Sequence, residues 1–223
     1  MHRDFLAARN VLFDLDGTLV DSGPLHDRAF RDVLAEAMPE ALAGFDYAAV
    51  RGQTTAAVFR RLGVDDAARC AELTRAKQAR YRALVAAGAL PVMAGAADLL
   101  RLLGAQGRRC YLVTSASRAS ADAALAAAGL GDAFAGTVAA EDAPYGKPAP
   151  DLYLRCLTRF GVAADDAVAV EDSPAGFAAA RAAGVAVVAV HGAAGDAAVD
   201  VCLSDLAALA AGFAAAPPAG MPR

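Results

Sequence analysis

The chain lacks any Cys-x-x-Cys pair. Its four cysteines, Cys70, Cys110, Cys156 and Cys202, are scattered along 223 residues. That excludes the common zinc-ligand spacings and a disulfide framework, and it leaves buried free thiols in a reducing compartment. An excess of positive charge is also missing. The formal net charge is −4, whereas a phosphate-backbone ligand needs a basic face, so no nucleic acid is expected as a partner. A small anion held by a few local donors remains compatible with this balance. The opening residues, MHRDFLAARN, contain no apolar stretch long enough for a signal peptide. The uncharged run from Leu206 to Pro222 comes nearest to a membrane span, but it is Ala-rich, broken by Pro217 and Pro218, and too short. It reads as a last helix followed by a disordered tail. A cytoplasmic protein with no membrane partner is expected.

What is present is an alternation. In the second half, helix-like segments end at a glycine and are followed by runs of β-branched residues. DLLRLLGAQG leads to RRCYLVT, ADAALAAAG to GTVAAED, LYLRCLTRFG to DAVAVED, and FAAARAAG to VAVVAV. Glycine just past a helix is a C-terminal cap signal. The strand-like runs are apolar throughout rather than alternating, as in strands covered on both faces. The pattern predicts an α/β fold, a doubly wound, Rossmann-like parallel sheet. Its first strand is VLFDLD, residues 11–16. From about Val20 to Leu90 the pattern is helical, with PLHDRAFRDVLAEA and AARCAELTRAKQARYRALVAAG. The expected organisation is a core of residues 1–19 and 93–223 with an inserted α-helical cap of residues 20–92. The crossings fall near Val20–Pro24 and Pro91–Gly95, where Gly and Pro punctuate the chain.

Sheets of this kind present ligand-binding groups at the carboxyl ends of their strands. VLFDLDG ends in Asp14 and Asp16, CYLVTSAS in Thr114 and Ser115, and AVAVEDSPAG in Glu171 and Asp172, while Lys147 lies in the loop GKPAPD. A single acid at a strand end is often a helix cap and a single lysine is often solvated. Acids, hydroxyls and a lysine converging on one rim point to phosphoryl chemistry. Crowded carboxylates would repel one another and a phosphate unless a hard cation such as Mg²⁺ were present. One carboxylate can then attack phosphorus, and a second, two residues along an extended segment, faces the same way and can move protons. Lys147 supplies positive charge to phosphoryl oxygens, and Thr114 with nearby N–H groups supplies hydrogen bonds. Ser173-Pro174 reads as an N-cap followed by proline at the first helical position.

DLDGTLVDS, VTSAS, GKPAPD and VEDSPAG resemble, in order, the four motifs of the haloacid dehalogenase superfamily, in its phosphatase and β-phosphoglucomutase-like branch. The resemblance spans nearly the whole chain, with the helical insertion where that branch carries its cap. It implies a Mg²⁺-dependent phosphatase that hydrolyses a small phosphate monoester, a sugar phosphate or phosphoglycolate-like metabolite, through an aspartyl-phosphate intermediate. It implies Asp14 as nucleophile, Asp16 as acid/base, and Thr114, Ser115 and Lys147 as phosphate-binding residues. The metal would be held by the Asp14 carboxylate, the Asp16 main-chain carbonyl and Asp172, with Glu171 direct or through water. Dehalogenase members have a single Asp in the first motif, so Asp16 argues against dehalogenation.

The cap is expected to decide the substrate through His26, Arg51, Gly52 and Gln53. His26 either closes over the leaving group or lies on a helix surface, and Arg51 either contacts substrate or is a surface arginine. Asp21 and Ser22 are expected to cap the first helix, Arg60 and Arg61 to be solvated, and Phe13, Phe30, Phe45 and Phe59 to be core. The alternatives are a phosphomutase with the same first half-reaction, a receiver-like signalling module and a non-catalytic phosphate-binding descendant. After Arg51-Gly52 the loop continues Gln53, Thr54, Thr55, with no cation before Arg60. Water is therefore the expected acceptor rather than a bisphosphate-forming sugar. A monomer or homodimer is expected.

Overall fold

The computed structural model describes residues 5–191 and 199–218. The chain runs β1 (Asn10–Phe13), α1 (Gly23–Ala37), α2 (Pro39–Leu42), α3 (Thr55–Arg61), α4 (Ala67–Ala86), α5 (Ala96–Ala105), β2 (Arg109–Val113) and α6 (Arg118–Ala128). It continues β3 (Gly136–Val138), α7 (Asp151–Phe160), β4 (Ala167–Glu171), α8 (Pro174–Ala182), β5 (Ala186–Ala189), β6 (Val201–Cys202) and α9 (Leu206–Ala215). The strands form one six-stranded sheet in the order β3-β2-β1-β4-β5-β6, parallel at every pairing. The predicted α/β class is what the chain adopts.

Successive residues of each strand go to opposite faces, and both faces are covered. Val11, Phe13, Leu112, Val168 and Val170 pack with Leu99, Leu103, Leu125, Leu209 and Phe213 of α5, α6 and α9. Leu12, Tyr111, Val113, Ala169 and Val187 pack on the other side with Leu152, Tyr153, Cys156, Phe177 and Ala180 of α7 and α8. The chain winds outward from β1 in one direction and from β4 in the other. β1, between β2 and β4, therefore marks the switch point where a crevice opens at the strands' carboxyl ends.

The four helices between β1 and α5 have an apolar cluster of their own, including Phe30, Leu34, Phe45, Val58, Phe59 and Leu73. The two segments joining them to the sheet are hydrogen bonded to each other. The Asp21 N–H donates to the Pro91 carbonyl and the Met93 N–H to the Leu19 carbonyl, both at 2.9 Å.

Some sequence expectations need correction. β1 ends at Phe13, so Asp14 and Asp16 sit in the loop beyond it. Gly17, at φ +89°, turns the chain there in a way a β-carbon resists. Ser22 precedes α1 but makes no side-chain cap; its hydroxyl is taken by Asp16 instead. Cys70, Cys110 and Cys156 are buried, while Cys202 is exposed because β6 is the sheet's edge. Ser173 does cap α8, accepting from the Gly176 N–H at 3.1 Å, with Pro174 at the first turn. The last helix forms as expected; the end of the expected tail, residues 219–223, lies outside the described residues. No helix among the described residues is long and apolar enough to cross a membrane.

Candidate active site

Asp14 follows β1 directly and keeps one ladder contact, its N–H donating to the Val170 carbonyl at 3.0 Å. Its Oδ1 accepts from Lys147 Nζ at 2.6 Å. Lys147 also donates to the Val113 carbonyl at the end of β2, 2.9 Å away, and to Glu171 Oε1 at the end of β4. One buried ammonium thus ties three loops together. Tyr153 donates to the same Glu171 oxygen at 2.7 Å. Asp172 Oδ1 accepts from the Thr18 hydroxyl at 3.2 Å, and its Oδ2 accepts from Arg51 Nη2. Arg51 thereby turns to an acid at the carboxyl end of β4, where a nearly buried carboxylate attracts a half-exposed guanidinium.

Carboxylate oxygens of Asp14, Glu171 and Asp172 lie within 4.8 Å of one another, and all three residues are buried. Burial pushes Asp14 above the usual carboxylate range, with the charge of Asp16 adding to it and Lys147 opposing. Glu171 is pushed by burial up to about 8 and Asp172 to about 7, each further raised by Asp14 and lowered by Lys147. Lys147 itself is held above its usual value: burial disfavours its charge, but Asp14 and Glu171 outweigh that. One ammonium thus faces three crowded carboxyl groups, too little positive charge for all of them to ionise readily. The cluster's donors are all hard oxygens, and Glu171 Oε2 is buried with no hydrogen-bond partner among the described residues. This donor set fits a hard divalent cation.

Asp16 has different company. Its Oδ1 accepts from the Ser22 hydroxyl at 2.6 Å and lies 3.0 Å from His26 Nε2. Behind the imidazole, Lys77 Nζ meets Nδ1, so the network assigns the proton to Nε2 and makes it the donor to Asp16. The ring stacks on Tyr81 at a centroid distance of 4.0 Å, and Lys77 Nζ lies 4.4 Å from the Phe30 centroid. Burial acts to raise Asp16, but His26, Ser22 and Lys77 outweigh it and hold the acid at about 2. Burial also lowers Lys77 to about 7, and burial with Lys77 lowers His26. His26 is thus buried in the site rather than exposed on its helix.

The chamber these groups enclose is small, about 40 Å³, and is lined among others by Asp14, Asp16, His26, Gln53, Lys77 and Thr114. Gly52 lines it too, in a left-handed turn (φ +82°) where a β-carbon would lie 2.7 Å from Ser173 Oγ. The Thr114 hydroxyl accepts from the Ala116 N–H at 3.0 Å, and the Ser115 hydroxyl is buried with no partner among the described residues. Sequence reading did not single out Lys77, Tyr153 or Thr18 as site residues. Lys77 left a signal: Cys70, Leu73, Lys77, Tyr81 and Val85 are the buried positions of α4, so this lysine falls in step with an apolar stripe.

The family model of the haloacid dehalogenase-like hydrolases matches residues 8–184. Phosphoglycolate phosphatase of Rhodospirillum rubrum is 39% identical over 191 residues, 80% of this chain and 77% of that protein. Hexitol phosphatase A of Escherichia coli is 37% identical over 193 residues, 83% of this chain and 84% of that protein. Among solved structures, CbbY from Rhodobacter sphaeroides in complex with phosphate superposes with a TM-score of 0.77 at 28% identity, covering 93% of this chain and 99% of that one.

Proposed function

Because the chain belongs to the haloacid dehalogenase-like hydrolases, we propose that it hydrolyses a small phosphate monoester, of the sugar phosphate or phosphoglycolate type, with Asp14 as nucleophile and Asp16 as acid and base. The observation that carries this reading is the contrast between two neighbouring carboxylates. Asp14 faces Lys147 at the carboxyl ends of the central strands, whereas Asp16 faces His26 from the helical segment. Relatives that are phosphoglycolate and hexitol phosphatases support the substrate class.

In the first half-reaction an Asp14 oxygen attacks phosphorus, the bond from phosphorus to the ester oxygen breaks, and Asp16 gives a proton to the departing oxygen. In the second, water attacks the aspartyl phosphate, Asp16 takes its proton, and inorganic phosphate leaves with Asp14 restored. The low pKa of Asp16 suits the second step. For the first, the negative charge of an arriving phosphate raises Asp16, and a proton reaches it through His26. Nε2 gives its proton to Asp16 as Nδ1 takes one from the Lys77 ammonium, and the proton that Asp16 takes from water in the second step returns by the same route. Lys147, Thr114 and Ser115 hold the phosphoryl oxygens as charge shifts on them. Asp14, Asp172 and the Asp16 carbonyl would hold Mg²⁺, with Glu171 beside them. When bound, the ion supplies the positive charge that lets carboxylates and phosphate share one site. Residues 20–92 act as the cap, with His26, Gly52 and Gln53 toward the substrate and Arg51 closing on Asp172. The enzyme acts on a phosphorylated metabolite of the cytoplasm.

The test follows free phosphate and isomerised sugar phosphate over time, with Mg²⁺ and a panel of phosphorylated metabolites. Steady phosphate release without a bisphosphate primer is expected, and it disappears in a folded Asp14→Asn protein. Isomer formation that outpaces phosphate release and depends on a primer would make the chain a mutase.

A further inference from the structure

Next to the chamber at Asp14 lies a larger space, about 450 Å³ against about 40 Å³. α3 and α4 form one wall, and the loop leading to Lys147 forms the other. Thr55 and Ser115 line both spaces. At that border the Ser115 hydroxyl is buried and has no partner among the described residues. The chamber itself has room for only a few water-sized groups. A metabolite whose phosphoryl group sits at Asp14 has to extend elsewhere, and Ser115 and Thr55 mark the way.

The larger space is lined by Arg60 from α3 and Arg75 from α4. Within residues 20–92, Arg28 is paired with Asp32, Arg31 with Asp27, Arg51 with Asp172, Arg69 with Glu72 and Arg80 with Glu36. Arg61 and Arg82 have no ion pair among the described residues but do not line the cleft. Arg60 and Arg75 have no ion-pair partner among the described residues. On the same wall, the Thr74 hydroxyl is buried without a hydrogen-bond partner among the described residues, and Gln78 lies one helical turn further on. The acid in the lining, Glu141, already accepts from the Arg118 N–H at 2.9 Å. Two unpaired guanidinium groups, an orphan hydroxyl and a side-chain amide make a lining of donors short of an acceptor.

We propose that this cleft receives the distal end of the substrate and selects a second oxyanion there, a phosphoryl or carboxylate group, through Arg60 and Arg75. The inference rests on the phosphatase reading above and names the substrate class of that same site. The cleft is open to solvent, so each contact is partly screened, and the pair together is worth about tenfold or more in selectivity.

The test compares three esters in the presence of Mg²⁺. 6-Phosphogluconate ends in a carboxylate, a hexose 1,6-bisphosphate ends in a phosphate, and glucose 6-phosphate ends neutral. The native chain is expected to favour an anionic end in kcat/KM, and the two anionic probes show which group it takes. In the Arg60→Gln/Arg75→Gln protein the ratio of anionic-ended to neutral-ended kcat/KM falls at least about tenfold, through KM. Arg60→Lys/Arg75→Lys keeps most of it. A ratio that is the same in the native and glutamine proteins overturns the proposal. Absence of turnover with every ester sinks the phosphatase reading instead. The cleft is then judged by calorimetric titration of the Asp14→Asn protein with the same compounds. A preference for anionic ends that the glutamine changes remove upholds the proposal, and equal affinities overturn it.

Discussion

Lys77 of α4 touches one nitrogen of the His26 ring while the other lies 3.0 Å from Asp16, so a residue 61 positions from Asp16 in the chain is one imidazole away from it in space. Replacing Lys77 by Met keeps length and removes charge. Asp16 loses one of the groups that hold it low, and kcat should fall about tenfold to a hundredfold. The acidic limb of the kcat/KM profile should move to higher pH, a change that damage to packing alone would not produce.

The same substitution should stabilise the fold at neutral pH. Burial lowers Lys77 from 10.5 to about 7. The unfolded chain therefore binds more protons between those values, and stability falls as pH drops from 10.5 toward 7. Lys77→Met escapes that loss. Its advantage at pH 7, on the order of 1 kcal/mol or roughly 2–4 °C in Tm, should shrink as pH approaches 10.5. Thermal unfolding of both proteins across that window measures it.

Asp172→Asn removes one carboxylate from the buried trio and weakens the acceptor for Arg51. Activity should require far more Mg²⁺ or vanish, and a chelator should abolish native activity until Mg²⁺ is restored. Full activity in metal-free buffer would refute the assignment of these acids to a cation.

Gly17→Ala should be costly on two counts. Its φ of +89° disfavours a side chain, and a β-carbon there would run into Asp172 Oδ2 and Arg51 Nη2. A loss of about 1–3 kcal/mol is expected, together with a fall in kcat. Tm and turnover measured on the same preparation would show both.

Arg51→Ala removes the guanidinium that joins the loop after α2 to Asp172 at the end of β4. KM should rise more than kcat falls, and a phosphate analogue should no longer compact the molecule in solution scattering. A native protein whose profile does not change with the analogue would count against a closing cap.

The sheet was legible because β-branched runs and glycine stops recur with the right period, and the apolar strands carry no competing pattern. The strand ends were less so: Asp14 and Asp16 read as extended, yet Gly17 turns the chain just past them. The acids, Thr114 and Lys147 could be found because each follows a strand. His26 was found with them, but its neighbours were not. Cation counting along residues 51–60 overlooked Lys77, which comes from another helix and looks like one basic residue in a polar stretch. Its place in the Cys70–Val85 stripe was the available sign. Ser22 was assigned to cap α1 by accepting from a backbone N–H, but its own backbone is already helical rather than extended, no such bond forms, and its hydroxyl donates to the Asp16 carboxylate. Arg60 was read as solvated. It is exposed, but it borders a cleft that only the packing of α3 against the sheet-edge loops creates.

The paired linkers have a consequence for how this chain can change. Asp21 with Pro91 and Met93 with Leu19 fasten entry and exit together at one point. Everything between them is a loop closed at its base, with an apolar interior of its own. Such a segment can be lengthened or shortened at the turns between its helices without moving Asp14 or Lys147, provided its first and last residues still meet and α1 and α4 keep the side chains that reach Asp16. Under the phosphatase reading, selection on substrate can then act on these helices while Asp14 and Lys147 stay where they are.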